Sequence, residues 1–125
     1  MALLHAASGE RIALKRDDSD IAHFTSVALA KTEHMELIRL VLPTERAMPE
    51  HRVEGEMTLL CLEGEIAVDA HGRTIVLHPS EMLYLAGGEP HAIRANKDAV
   101  ALMTILLPQV RSGGPTNDPR GAPTL

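Results

Sequence analysis

Pro43, Pro49, Gly55 and Gly64 cut the centre of the chain into pieces too short for helices of ordinary length, but suited to strands of five to eight residues. Before them, SVALAKTEHMELIRLVL (26–42) holds two β-like runs around the polar AKTEH, the pattern of a hairpin. After them come MTLLCL (57–62), IAVDA (66–70), TIVLH (74–78), MLYLA (82–86), HAIRA (91–95) and AVALMTILL (99–107). Turns are expected at EGE around Gly64, at HGR, at Pro79–Ser80, at GGEP (87–90) and at NKD (96–98). Many short strands without a convincing long amphipathic helix predict an all-β, antiparallel sandwich or barrel, and two strand-rich halves joined near Pro79 suit a jelly roll. RIAL (11–14) reads as a further edge strand, exchanged with a neighbouring subunit. Composition changes at Pro108, so 1–107 is read as a single domain and 108–125 as a loosely ordered Pro/Gly-rich tail.

Composition removes several functions. Phe24 and Tyr84 are the only Phe, Tyr or Trp side chains, which argues against stacking on sugars or bases. A net charge of -5 repels a phosphate backbone, so no nucleic-acid partner is expected. The single cysteine, Cys61, has no intrachain partner and lies in an apolar run, which fits a buried thiol in a reducing compartment. MALLHAASGERIALKR lacks the basic leader and apolar run of a signal peptide, and no stretch is long enough to cross a bilayer. The reading is a cytoplasmic protein without a membrane partner. GxGxxG and GxxxxGK are both absent, as is a nucleophile elbow.

The histidines are the residues most suited to chemistry. PEHRVEGEMTLLCLEGE (49–65) and HPSEMLYLAGGEPHAIRAN (78–96) together resemble the two-motif core of the cupin superfamily. Anchored on Gly64, the first motif puts His51 at its first histidine, Val53 at the second and Met57 at its glutamate. A second register makes His51 the second histidine and Glu56 the carboxylate, with a bulge at Gly55 absorbing the extra residue. In the second motif His91 matches, while Asn96 is displaced by one. The resemblance spans roughly residues 34–107 and implies a jelly-roll β-barrel in which His51 and His91 converge.

It further implies one divalent transition metal (Fe, Mn, Ni, Zn or Cu) or none, because two imidazoles need a third ligand for a closed site. Glu56, Met57 and His34 are the candidates. The competing reading leaves both histidines as hydrogen-bonded polar residues in a barrel mouth. Met35, Met57, Met82 and Met103 would line an adaptable apolar cavity, with the Tyr84 hydroxyl at its edge. His71 and His78 read as exposed turn residues, and Cys61 should face inward with Met57 and Leu59. The expected function is small-molecule binding in a barrel with an incomplete metal site. Two alternatives stand beside it: a metal-dependent oxygenase or isomerase of a small organic acid with Glu56 as third ligand, and a ligand-sensing module that works with a separate partner. A homodimer is expected in each case, through an apolar outer sheet face.

Overall fold

The computed structural model describes residues 5–15, 25–44 and 46–108. Seven strands follow in order: β1 (Thr25–Lys31), β2 (Met35–Leu42), β3 (Ala47–His51), β4 (Met57–Ala70), β5 (Arg73–Leu77), β6 (Met82–Leu85) and β7 (His91–Leu106). The expected hairpin is β1–β2, and every strand pairing is antiparallel. The strand order is β1-β2-β7-β4-β5, with β3 also on β7 and β6 also on β4. β7 therefore pairs with β3 near its start and with β2 near its end. β4 likewise pairs with β6 first and β5 afterwards. Two half-sheets, β1-β2-β7-β4-β6 and β3-β7-β4-β5, share these two long strands and enclose one core, giving the antiparallel jelly-roll barrel expected from the sequence.

The long strands correct two turn assignments. EGE at Gly64 and NKD at 96–98 are bends inside β4 and β7, whose register shifts between Cys61 and Ile66. Gly64 makes the bend: its φ is +80°, and a Cβ there would stand 2.1 Å from the Asp98 carbonyl oxygen. Pairing continues on both sides of the bulge, so the chain turns a barrel corner without leaving the sheet. Inward positions change from Met57, Leu59 and Cys61 before the bulge to Ile66, Val68 and Ala70 after it. The two halves are joined by these bent strands, and Pro79 lies only in the β5–β6 connection.

Leu40 and Leu42 from β2, Leu77 from β5, Leu85 from β6, and Ile93, Ala101 and Met103 from β7 complete the core. Residues 11–14 form no strand, which corrects the expected edge strand. This segment is tied instead by the Ala6 N–H to the Leu29 carbonyl (2.9 Å) and by the Arg39 guanidinium to the Lys15 carbonyl (3.2 Å). His23, Phe24 and the tail from 109 onward lie outside the described residues. No helix among the described residues is long and apolar enough to cross a membrane.

Candidate functional site

β3 ends at His51 and β7 begins at His91, and the two are register partners. Antiparallel partners project to the same face, so the imidazoles stand side by side with ring centroids 4.4 Å apart and planes inclined by 58°. Each ring is fixed in the same way. His51 Nδ1 lies 3.1 Å from the Pro49 carbonyl oxygen, and His91 Nδ1 lies 3.0 Å from that of Glu89. A carbonyl only accepts, so both Nδ1 atoms carry a proton, and in the neutral tautomer this selects each ring presents Nε2 as a bare acceptor. His91 is 1% exposed, and its Nε2 has no hydrogen-bond partner. A buried acceptor left in that condition costs about 1–3 kcal/mol. Beside His51 an open groove of about 450 Å³ is lined by Arg46, Ala47, Met48 and Pro49.

The other expected site residues divide. Met57 and Met103 are buried in the core. Met57 follows the straight register, with Val53 partly buried against the same core. Gly55 lies in the β3–β4 connection, outside any strand, so the bulge expected there does not form. Glu56 is exposed, and its carboxylate accepts a hydrogen bond from the Tyr84 hydroxyl at 2.5 Å. The carboxylate acts first through that bond, and burial second, to push the Tyr84 pKa above its ordinary value.

Tyr84 itself is 57% exposed, because alternation along β6 turns Leu83 and Leu85 inward and Met82 and Tyr84 outward. Neither Tyr84 nor Met82 lines the interior, contrary to expectation. His34 is an exposed residue of the β1–β2 turn. None of the proposed third ligands with nitrogen or oxygen donors is brought to the histidine pair. Among the described residues, no group of three His, Cys, Asp or Glu side chains converges as a metal site.

Cys61 is fully buried as expected, and that burial pushes its thiol pKa up. His71 and His78 are the exposed turn residues anticipated, although His78 makes contacts with Glu65 and Glu81 that the linear sequence did not suggest. The groove residues Arg46 and Met48 were also missed. Their signal was proximity to His51 on β3, a strand interrupted by Pro49 and therefore not assigned from sequence.

The geometry can be set beside known proteins. The family model described as the cupin domain matches residues 38–107. No curated protein matches the chain. Among solved structures, a conserved protein of unknown function from Streptococcus pyogenes superposes with a TM-score of 0.71 at 14% identity, covering 88% of this chain and 100% of its own. A cupin superfamily protein from Desulfitobacterium hafniense gives 0.70 at 19% identity, covering 86% and 100%. An RmlC-like cupin family protein from Methanocaldococcus jannaschii, with a double-stranded β-helix fold, gives 0.68 at 18% identity, covering 81% and 94%. At these identities the structures speak for the fold alone. The matched segment, however, takes in more than half of the chain and runs from β2 through the histidine pair to the end of β7: the chain belongs to the cupin domain family.

Proposed function

We propose that this cupin binds a small molecule at its histidine pair, with His51 and His91 offering their Nε2 atoms to hydrogen-bond donors of the ligand or to a weakly held metal. The observation that carries this reading is the buried, unpartnered Nε2 of His91 beside a second ring fixed in the same tautomer. Buried polar atoms are ordinarily satisfied, and a lone pair aimed away from any protein donor is suited to a donor or Lewis acid that arrives from solution.

The residues fit a divalent transition metal only in part. Two imidazoles suit Fe, Mn, Ni, Zn or Cu, but a metal held by them must draw its remaining ligands from water or from the bound molecule. No reaction step follows from such a site. The oxygenase or isomerase reading required Glu56 as third ligand, and a carboxylate occupied by Tyr84 on the outer surface gives it no support.

The test is elemental analysis of the protein after incubation with Zn²⁺ or Fe²⁺ and desalting, together with thermal shifts against a panel of small hydroxy, amino and carboxylic compounds. Substoichiometric metal and a ligand-dependent shift that disappears in His51→Ala and His91→Ala are expected. Shifts retained in both variants would place the ligand elsewhere.

The chain is also read as a homodimer. Leu60, Met82, Tyr84, Leu102 and Leu106 lie on the outer side of β4, β6 and β7, and three of them are exposed. Sedimentation equilibrium should give twice the 13.5 kDa chain mass, reverting to the monomer in Met82→Glu/Tyr84→Glu. A native protein sedimenting at the chain mass itself would refute the dimer.

A further inference from the structure

The connection between β5 and β6 carries an arrangement independent of the histidine pair. Ser80 has φ +73°, a left-handed conformation uncommon for a residue with a side chain. The turn is held to β4 by the Ser80 N–H to the Cys61 carbonyl (2.8 Å) and the Cys61 N–H to the Glu81 carbonyl (2.9 Å). At its start, His78 stands between two carboxylates. Its Nε2 is 3.2 Å from Glu65 Oε1 on β4, and its Nδ1 is 3.2 Å from Glu81 Oε1. Glu81 Oε1 also accepts the His78 backbone N–H at 2.8 Å, and Glu65 Oε2 accepts the Asn96 amide from β7 at 2.8 Å.

A neutral imidazole has one N–H, and a carboxylate can only accept, so only the imidazolium satisfies both contacts. We propose that His78 is a proton-operated latch: protonated, it clamps the β5–β6 turn onto the bend of β4 and β7; neutral, it releases one of its two carboxylates and loosens the turn.

The charged groups around it support that sign. Glu65 from β4 and Glu81 from the turn face His78, while Lys97 from β7 acts on Glu65. The Asn96 amide, followed by the charges of His78 and Lys97, holds Glu65 below the ordinary carboxylate range. The His78 backbone N–H, followed by its ring, does the same for Glu81. Both carboxylates therefore stay ionised through the interval between pH 5 and 8 in which histidine changes charge. The clamp holds while His78 carries both ring protons and is lost when one leaves. It fails again only in stronger acid, when Glu65 and Glu81 are protonated.

Amide hydrogen exchange by NMR reads the latch directly, since the Ser80 and Cys61 N–H groups make the two bonds that tie the turn. With each rate divided by its unstructured-peptide value, protection in the native protein should fall about fivefold from pH 6 to pH 8, the scale of two half-exposed ion pairs. His78→Gln, which cannot change charge, should show no such fall. Glu65→Gln should show about half of it on a logarithmic scale. Equal pH dependence in the native protein and His78→Gln would overturn the latch. The full native dependence in Glu65→Gln would also do so, because it would confine the effect to the turn.

Discussion

Gly64→Ala is expected to destabilise the fold by about 3 kcal/mol or more, whereas Gly72→Ala should cost only about 1–2 kcal/mol, the strain of one left-handed residue with a side chain. Both glycines have positive φ, +80° and +72°, so the strain is common to both. Their surroundings differ: the added Cβ at Gly72 meets nothing within 4 Å, while at Gly64 it meets the Asp98 carbonyl oxygen at 2.1 Å and the Ala99 Cα at 2.8 Å. These are backbone atoms of β7, and they cannot move without opening its ladder to β4. Asp98 is further restrained because its carboxylate Oδ1 accepts both the Thr44 N–H (2.9 Å) and the Thr44 hydroxyl (2.6 Å), in the segment leading to β3. A displacement at the bend would thus be felt toward His51. Urea denaturation of both variants measures the difference at unchanged slope. Equal losses would mean that β4 and β7 approach less closely at the corner than described.

The same corner shows what was legible in the sequence. Strand content, the β1–β2 hairpin and the inward set Met57, Leu59 and Cys61 followed from alternation, because a period of two survives wherever one face is buried. EGE and NKD were assigned as turns because Gly and charged residues in a strand-rich chain ordinarily mark chain reversal. A bulged bend uses the same residue types. What separates the two is the partner strand, here Asp98 opposite Gly64, some thirty residues away.

The histidine pair was legible from motif spacing, while its surroundings were not. Glu56 and Met57 are adjacent, and a shift of one residue exchanges which of them points inward. Pairing of Met57 with Leu85 on one side and Ile105 on the other settles that Met57 is inside and leaves Glu56 to Tyr84. Tyr84 and Met82 were placed on the wrong side of β6, because alternation along a four-residue strand does not say which face is inward; Leu83 and Leu85 are the residues that meet the core.

His91→Leu separates the histidine pair's role in binding from its role in folding. The ring is among the largest fully buried side chains, and leucine has a similar volume. The substitution removes a buried acceptor without a partner, a relief of about 1–3 kcal/mol, and gives up the Nδ1–H bond to the Glu89 carbonyl, worth about 0.5–1.5 kcal/mol. The ligand-free variant should therefore be as stable as the native protein or about 1 kcal/mol more stable. Binding should respond in the opposite direction. With one of the two Nε2 acceptors gone, retained metal should fall to background, and the affinity for any ligand that shifts the native protein should drop at least about tenfold, the scale of a lost hydrogen bond whose ligand partner is left unpaired. Urea denaturation in the absence of ligand and elemental analysis after desalting give the two halves of the result. A stability loss above about 2 kcal/mol, more than the lost Nδ1–H bond to Glu89 accounts for, would show that His91 Nε2 is already satisfied in the folded protein. The proposal that it awaits a ligand would then fail with it.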